Sequence, residues 1–253
     1  MSRRRLSASA ALLLLLAAAV LAPAGCDDNE PQEAPWTPPV MPIEPTEGTP
    51  PKPPAEQSFK YDPAAVYEAV VTTSLGTFRL GFYPQETPKT VERFLMLAQD
   101  YRAYDGQVFY RVVNDSLIQT GDPGGTGTGV PEGPGPIAGE FTRREFVAGT
   151  VGFARREDNP NSGDMQWFVC LRRESRWDGK FAAFGYVKDG LDVVRKIGQA
   201  EVEGDRAVHW TRRQRPVDPP QILKVEIVKS SGGTNAAGNT AAAEPGANKQ
   251  SQH

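Results

Sequence analysis

The sequence has few of the side chains that carry metal, redox or nucleophilic chemistry. Its 253 residues include two histidines and two cysteines, Cys26 and Cys170. The apolar segment 167–171 surrounds Cys170, and no histidine is evidently paired with it, which predicts a buried structural thiol rather than a reactive one. The even number of cysteines would allow one disulfide, but Cys26 ends a leader segment and has another expected use.

The sequence also lacks an excess of positive charge and long apolar runs. The formal net charge of −3 gives no reason to expect a nucleic-acid partner. The apolar run at residues 10–20 is too short to be a comfortable membrane span. The glycine-rich residues 122–139 lack the Lys-Ser or Lys-Thr ending and the following helix pattern of a phosphate loop, so no nucleotide site is expected. The apolar share is only 39%, which suggests that part of the chain does not fold into a core.

The leader, residues 1–25, has the features of an export signal peptide. Basic residues 3–5 precede the apolar run, and Ala24-Gly25-Cys26 ends it. These three residues resemble a bacterial lipobox, in which the cysteine is acylated and becomes the new N-terminus. Pro23 stands where that pattern has leucine. We expect lipid attachment at Cys26, because the acidic tether that follows it suits a lipoprotein and has no other evident use.

Three other interpretations of the leader stay open. Ala22 and Ala24 fit ordinary signal-peptidase cleavage after Ala24. Residues 2–4 faintly resemble a twin-arginine signal, and the leader could also persist as an uncleaved anchor. With lipid attachment, the mature chain is expected at the bacterial cell envelope, held at a membrane through Cys26 and facing the periplasm or the exterior.

Composition divides the rest of the chain into three parts. Residues 26–58 contain ten prolines and are predicted to be a disordered acidic tether. Such a tether could hold a domain up to about 100 Å from a membrane. Residues 59–230 are the predicted folded domain, expected to be a monomer, and residues 231–253, rich in Ser, Gly, Asn and Ala, are a predicted disordered tail.

Hydrophobic periodicity within residues 59–230 predicts a mainly β domain with two helices. Thr87 and Pro88 suit the N-cap and first position of a helix, and a second helix follows Gly190. Residues 200–220 are interpreted as a loop, in which Trp210 is a weak candidate for binding. Strands are predicted at residues 67–73, 77–83, 108–113, 117–119, 149–154, 165–171, 181–187 and 221–228.

Arg111 is the first candidate functional residue. It lies in the apolar run 108–113, before a turn at residues 114–116 and a short strand that carries Gln119. Strand alternation would place Arg111 on the same face as Phe109 and Val113. A strand arginine most often faces solvent or pairs with an acid. An arginine among apolar neighbours beside an amide, however, suits a site that polarises a neutral group.

Four motifs, in order, resemble those of the cyclophilins, the cyclophilin-type peptidyl-prolyl isomerases. Residues 109–113 (Phe-Tyr-Arg-Val-Val) and 117–122 (Leu-Ile-Gln-Thr-Gly-Asp) are similar to F-H-R-V-I and F-M-x-Q-G-G-D. Residues 124–129 match the G-T-G-x-G loop of bacterial-type members. Residues 159–169 resemble D-P-N-S-x-x-S-Q-F-F-I, and residues 178–185 resemble the end of L-D-G-x-Y-x-x-F-G. The resemblance covers residues 67–228 and reaches neither end of the chain.

The many short strands, two helices and Gly-rich turns suggest a closed β-barrel with helices capping its ends. The resemblance implies the same, an eight-stranded antiparallel barrel with two α-helices, together with isomerisation of Xaa-Pro bonds. The leader makes proline-containing proteins of the envelope the expected clients. The reaction breaks no bond, so no cofactor or metal is expected. The resemblance assigns catalysis to Arg111 and Gln119. It assigns the proline pocket and the peptide-holding positions to Phe109, Leu117, Ala154, Arg155, Gln166, Phe168, Trp177 and Phe181.

Several positions depart from the family pattern and alter the expected pocket. Ser116 replaces a pocket phenylalanine and removes an apolar wall, while Trp177 replaces a leucine and either refills that gap or crowds it. Arg176 stands where cyclosporin-sensitive members have tryptophan, which predicts weak inhibition. We expect activity that is weakened or shifted in its preference for the residue before proline. The alternative is a barrel that binds proline-containing segments without catalysis, as a holdase or scaffold. Further departures are Tyr110, Thr120, Trp167 and Phe181.

Overall fold

The computed structural model describes residues 59–127, 129, 135–204 and 213–230. The predictions for the leader, Cys26, the tether, Trp210 and the tail lie outside this part of the chain. The strands are β1 (Val66–Thr73), β2 (Gly76–Phe82), β3 (Arg111–Val113), β4 (Leu117–Thr120), β5 (Thr150–Phe153), β6 (Trp167–Cys170), β7 (Ala182–Asp189) and β8 (Ile222–Ser230). The helices are α1 (Pro88–Gln99) and α2 (Leu191–Gly198), with a short 3-10 helix at Ser175–Trp177.

The eight strands form a single antiparallel sheet in the order β3-β4-β6-β5-β7-β2-β1-β8. The mainly β architecture predicted from the sequence is confirmed. The expected full closure of the barrel is wrong: β3 and β8 are the two edges, and no ladder pairs them. The segment before β3 instead meets the start of β8 through an isolated bridge between Val108 and Gln221 and through backbone hydrogen bonds, which join Gly106, Gln107 and Phe109 to Pro220 and Ile222. The sheet is therefore a curled half-barrel.

Helix α1 covers one face of the sheet with the predicted apolar stripe. Its buried residues include Val91, Phe94, Leu95 and Ala98, which repeat at helical spacing. The predicted start at Pro88 is confirmed, but the hydroxyl of Thr87 bonds back to the Tyr83 carbonyl and caps no helical amide. The carboxylate of Glu140, from a distant loop, instead accepts the first-turn amides of Lys89 and Thr90 at 3.1 and 2.8 Å.

Aromatic side chains from several elements fill the interior between sheet and helix. The ring centroid of Phe94 lies 5.0 Å from that of Tyr104 and 5.7 Å from that of Trp167. Phe109 packs edge-on against Trp167 at 6.2 Å. Trp167, which replaces a phenylalanine of the family pattern, is fully buried in this core. Such contacts stabilise a curled sheet because each aromatic ring buries a large apolar area.

Each predicted strand is present, with ends displaced by at most three residues. The largest displacement is in β3, which begins at Arg111 rather than Val108. The 3-10 helix was not predicted.

Neither helix in the described part of the chain has the length and apolar character of a membrane span.

Candidate active site

The register of three neighbouring strands brings the predicted catalytic residues together. Arg111 on β3 pairs with Gln119 on β4, and Gln119 pairs with Phe168 on β6. Directly paired residues of antiparallel strands project from the same face of a sheet. Val113 and Leu117 form the next pair along the same face. The motifs predicted from the sequence thus meet on one side of the β3–β4–β6 ladder.

Arg111 is held by two amide side chains. Its Nη1 donates to Oε1 of Gln119 at 3.0 Å, and its Nε donates to Oε1 of Gln214 at 2.6 Å. The pKa of Arg111 is lowered to about 10, mainly by burial; Tyr110 opposes this change and the nearby positive charge of Arg176 adds to it. The guanidinium remains protonated at neutral pH, and Gln119 and Gln214 help to orient it.

A second set of hydrogen bonds fixes Gln166 beside Gln119. Oε1 of Gln166 accepts from the Tyr110 hydroxyl at 2.6 Å and from Nε2 of Gln119 at 3.2 Å. Its Nε2 donates to the carbonyls of Gly127 and Gly129, at 3.3 and 3.2 Å. Tyr110 is buried, which raises the pKa of its hydroxyl and keeps it a hydrogen-bond donor. Arg111, Gln119 and Gln166 therefore form one connected polar network.

The glycine-rich loop beside this network is organised by Asp122. Its carboxylate accepts the amides of Gly124 at 3.0 Å and Thr126 at 2.7 Å, and the Thr126 hydroxyl at 3.1 Å. Gly127 has a positive φ of 86°, and a Cβ there would lie 3.0 Å from the Tyr110 ring. The loop packs on Tyr110 and needs glycine at that position. In its described residues the loop packs against Tyr110 and turns the carbonyls of Gly127 and Gly129 toward Gln166.

An aromatic cluster, defined as Phe146, Phe168, Trp177 and Phe181, lies next to the polar network. The Phe168 ring is 5.2 Å from Trp177, 5.6 Å from Phe181 and 5.8 Å from Phe146. The Phe168 ring also covers Gly152, where an added Cβ would fall 2.2 Å from its edge. Gly152 thus leaves room for the tip of the ring over β5, and the cluster forms a nearly buried apolar wall next to Gln119, the partner of Arg111.

The structure brings together most, but not all, of the predicted site residues. Leu117 lies on the same face of the sheet as Gln119 and is nearly fully buried. The amide of Ala154 bonds to the Gln166 carbonyl at 2.8 Å, and the guanidinium of Arg155 lies 4.8 Å from the centre of the Phe181 ring. Phe109 is not brought to the site. It is 0% exposed, and its ring lies in the core against Trp167.

Phe109 departs from the expected alternation because the chain is not yet a strand at that point. Strand β3 begins at Arg111, so alternation does not extend back to Phe109. The side chain of Phe109 therefore lies on the core side, while Arg111 projects to the other face.

Three residues at the site were not anticipated from the sequence. Gln214 lies in the excursion interpreted only as a loop, and Phe146 is an isolated aromatic in a polar segment. Glu174 accepts a hydrogen bond from the Ser116 hydroxyl at 2.5 Å, and both residues are buried. The run Arg172-Arg173-Glu174-Ser175-Arg176 offered one signal, since a lone acid among arginines suggests an ion-pair centre.

The chemistry that the site offers rests on Arg111 and the aromatic cluster. Among the described residues there is no group of three or more His, Cys, Asp or Glu side chains that could hold a metal ion. Cys170 is buried, and burial raises the pKa of its thiol well above the usual range. What the site offers is an oriented, charged guanidinium beside an apolar surface. Such a pair can grip an apolar ring and donate to a polar atom next to it.

Comparisons with known proteins agree with this geometry. A sequence model of the family "Cyclophilin type peptidyl-prolyl cis-trans isomerase/CLD" matches residues 69–227. Peptidyl-prolyl cis-trans isomerase-like 1 of Neurospora crassa is 34% identical over 169 residues, which cover 64% of this chain and 94% of that protein. A peptidyl-prolyl cis-trans isomerase of Synechococcus elongatus is 38% identical over 133 residues, covering 51% of this chain and 88% of that protein.

The fold also has solved counterparts. A cyclophilin type peptidyl-prolyl cis-trans isomerase of Cryptosporidium parvum superposes with a TM-score of 0.57 at 21% identity, over 65% of this chain and 99% of that one. A cyclophilin of Hirschia baltica superposes with a TM-score of 0.51 at 19% identity, over 68% of this chain and 82% of that one. At these identities the likeness establishes the fold.

Proposed function

The chain belongs to the family of cyclophilin-type peptidyl-prolyl cis-trans isomerases, and on that premise we propose that Arg111 is its catalytic residue and that exported proline-containing proteins are its substrates. The observation that carries the catalytic assignment is the pairing of Arg111 with Gln119 beside the Phe168 ring. A charged donor and an apolar surface are the two things that this reaction needs.

The reaction is rotation about the peptide C–N bond before proline. Amide resonance sets a barrier of roughly 18–20 kcal/mol. As the amide twists, resonance is lost and the prolyl nitrogen regains a lone pair. A hydrogen-bond donor aimed at that nitrogen stabilises the twisted state more than the planar one, which lowers the barrier. No nucleophile is required, because no covalent bond forms or breaks.

Arg111 has the properties that this donor needs. Its guanidinium is permanently charged at neutral pH, and its planar shape lets Gln119 and Gln214 bind two of its nitrogens at once. Both of these amides are neutral, so they orient the guanidinium without adding charge of their own. Gln119 is in turn held by Gln166, so the donor is preorganised before substrate arrives.

We propose that the proline ring of the substrate binds against the aromatic cluster. Phe168, which carries the cluster, pairs directly with Gln119 across the β4–β6 ladder. A proline ring against Phe168 would therefore place its nitrogen on the side where Arg111 lies. Leu117, on the same face of the sheet, would extend the apolar surface that contacts the proline ring.

The experiment that tests this function is exchange NMR on a proline peptide with the full chain present. We expect the exchange rate between the cis and trans signals of Ala-Ala-Pro-Phe to rise in proportion to the concentration of the chain. An inert protein at the same concentrations should leave that rate unchanged. Uncatalysed exchange takes tens of seconds or more, so even modest acceleration is measurable. An exchange rate that does not depend on the chain would overturn the isomerase assignment.

The clients and location form a separate proposal, which rests on the leader. Residues 1–25 resemble an export signal, and Cys26 follows a lipobox-like Ala24-Gly25. We expect the chain to be acylated at Cys26 and to act on envelope proteins. Metabolic labelling with palmitate should mark the wild-type chain, while a Cys26→Ala chain stays unlabelled and leaves the membrane fraction. Equal labelling of the two chains would refute lipid attachment at Cys26.

A second candidate function is binding without efficient catalysis. Ser116 is tied to Glu174 rather than open to a substrate, and Trp177, only 5% exposed, packs within 5.2 Å of Phe168. Both features change the surroundings of the proline ring relative to the family pattern, because Ser116 removes an aromatic wall and Trp177 is larger than the leucine that it replaces. A holdase of this kind would bind proline peptides and slow the aggregation of an unfolded client. It would not shorten the cis–trans exchange time.

A further inference from the structure

Building on the proposed isomerase function, we propose that Arg176 is a specificity-determining residue of this site. Glu174 holds Arg176 at the edge of the aromatic cluster, where its charge selects prolyl bonds flanked by an acidic side chain. Arg176 departs from the family pattern, since it stands where a tryptophan occurs in cyclosporin-sensitive members.

Glu174 is the centre of this arrangement. The residue is 5% exposed, and its Oε1 accepts the Ser116 hydroxyl at 2.5 Å and Nε of Arg172 at 2.9 Å. Its Oε2 lies 3.3 Å from Nε of Arg176. A buried carboxylate needs such partners, because an unpaired buried charge is strongly unfavourable. Ser116 lacks the ring of the family pattern, and its hydroxyl binds the carboxylate of Glu174 at that position.

The backbone fixes Glu174 and Arg176 on a rigid turn. The amide of Glu174 donates to the Phe146 carbonyl at 2.8 Å, and the amide of Trp177 donates to the Glu174 carbonyl at 3.1 Å. Arg176 lies within the 3-10 helix Ser175–Trp177 that follows. The position of Arg176 is therefore set by main-chain bonds as well as by the carboxylate.

This turn places the Arg176 guanidinium beside the substrate site. Its central carbon is 5.6 Å from the centre of the Trp177 ring, which itself packs on Phe168. The positive charge of Arg176 also contributes to lowering the pKa of Arg111, so the two guanidiniums are close enough to interact. The side chain of Arg176 is 47% exposed, so a peptide bound against the aromatic cluster can contact it.

Arg176 is only partly neutralised by its partner. Glu174 is one carboxylate shared by two guanidiniums, those of Arg172 and Arg176. Arg173, which lies between them in the sequence, is paired instead with Asp178 and Glu145. The half-exposed guanidinium of Arg176 therefore keeps positive charge that can act on a peptide bound at the proposed proline site. An acidic side chain adjacent to proline would meet it, whereas a lysine would be repelled. Exposed ion pairs contribute about 0.2–1 kcal/mol, which corresponds to a preference of at most about fivefold.

The test compares matched peptides on the full chain by exchange NMR. The pairs are Ala-Glu-Pro-Phe against Ala-Gln-Pro-Phe, and Ala-Ala-Pro-Glu against Ala-Ala-Pro-Gln, so that both sides of the prolyl bond are sampled. We expect kcat/KM for the glutamate peptide of at least one pair to exceed that of its glutamine partner by about threefold. The preference should shrink at about 0.5 M salt. Ratios near one in both pairs would overturn the proposal.

Variants assign the preference to Arg176. Arg176→Gln should bring the ratio close to one, while Arg172→Gln, which removes the same charge from the same carboxylate, should retain it. Glu174→Gln separates positioning from charge. If Glu174 positions Arg176, the ratio falls in this variant even though the local charge becomes more positive. A ratio that rises would overturn the positioning role, and an unchanged ratio in Arg176→Gln would overturn the assignment to Arg176.

Binding measurements on the same samples keep the two proposals separate. Chemical-shift titration gives a Kd for each peptide whether or not exchange is accelerated. If no peptide is isomerised, the proposed catalytic function fails, and the ratio of the Kd values still decides the specificity. If peptides are isomerised without any preference for glutamate, only the inference about Arg176 fails.

Discussion

Nη1 of Arg111 donates to Oε1 of Gln119 at 3.0 Å, directly across the β3–β4 hairpin. The two residues are eight positions apart in the sequence, and the turn at residues 114–116 makes them partners. The proposed catalytic charge therefore depends on a local hairpin for its first anchor. A distant segment, through Gln214, supplies the second.

The pKa of Arg111 predicts the pH range of activity. Burial lowers that pKa to about 10, and only the protonated guanidinium can act as the proposed donor. Because the charged form is the active one, activity should be constant between about pH 6 and 8 and should fall as the pH rises through about 10. Exchange NMR suits this measurement because it needs no coupling protease. A fall in activity between pH 6 and 8 would point to a different titrating group.

Gly152 should be essential for the aromatic cluster. A Cβ at this position would fall 2.2 Å from the Phe168 ring, so Gly152→Ala must displace the ring or the strand. We expect a loss of about 1–3 kcal/mol in the free energy of unfolding, and weaker peptide binding. Denaturant unfolding measures the first and chemical-shift titration the second.

The matched control for this prediction is a double-mutant cycle with Phe168→Leu. The smaller side chain relieves the contact, so the two substitutions together should cost less stability than the sum of their separate effects. Strict additivity would show that the Phe168 ring does not limit the residue at position 152.

The buried ion pair between Arg93 and Asp164 should support the loop that carries Gln166. Nη1 of Arg93, on α1, lies 2.8 Å from Oδ1 of Asp164 and 2.6 Å from the Gly135 carbonyl. Arg93→Met should reduce the free energy of unfolding by about 3–5 kcal/mol, because it leaves a buried carboxylate unpaired. Arg93→Met with Asp164→Asn is the control, and it should recover part of that loss.

The pH dependence of the Arg93→Met variant follows from Asp164. Burial already raises the pKa of this carboxyl, and Arg93 only partly opposes the change. Without Arg93 the pKa should rise further. A folded-state pKa above the unfolded value means that stability falls as the pH rises through that interval. The stability deficit of Arg93→Met should therefore be smaller near pH 4 than near pH 7, by about 1 kcal/mol or more. An equal deficit at both pH values would contradict the assignment.

Cys170 should be unreactive in the folded chain. Its thiol is fully buried, and burial raises its pKa, so little thiolate forms at neutral pH. In a Cys26→Ser chain, a thiol reagent such as DTNB should react only after denaturant unfolds the domain. Rapid reaction of the native chain would show that β6 opens far more readily than its buried position indicates.

The sequence predicted those parts of the fold that depend on local signals. Turn residues and alternation predicted the β3–β4 hairpin, and Thr87-Pro88 predicted the start of α1. The cap of α1 was not predictable, because its acceptor, Glu140, lies 51 residues after Lys89 in the sequence. Closure of the barrel was expected from the pattern of short strands and from the resemblance, but the structure joins the two sides by a bridge and a few backbone hydrogen bonds rather than by a ladder between β3 and β8.

The candidate site likewise contains residues that local motifs predicted and residues that only the fold brings together. Arg111, Gln119, Gln166 and Phe168 were identified because they lie in recognisable motifs. Gln214 was not, since it is 103 residues from Arg111 and lies in a segment without periodicity. Phe109 was expected beside Arg111 because both were assigned to one strand, whereas the strand begins at Arg111 itself. Long-range contacts and the exact ends of strands are set by tertiary packing, which a single sequence does not display.

The most direct test of the central claim is the effect of Arg111→Ala on catalysis and on binding, measured by exchange NMR and chemical-shift titration on the same peptide. Loss of a transition-state donor should reduce kcat by about 100-fold or more while the Kd changes little, because the aromatic cluster still binds proline. Arg111→Lys, which keeps the charge but not the planar fork, should retain part of the activity. An unchanged kcat in Arg111→Ala would contradict the account.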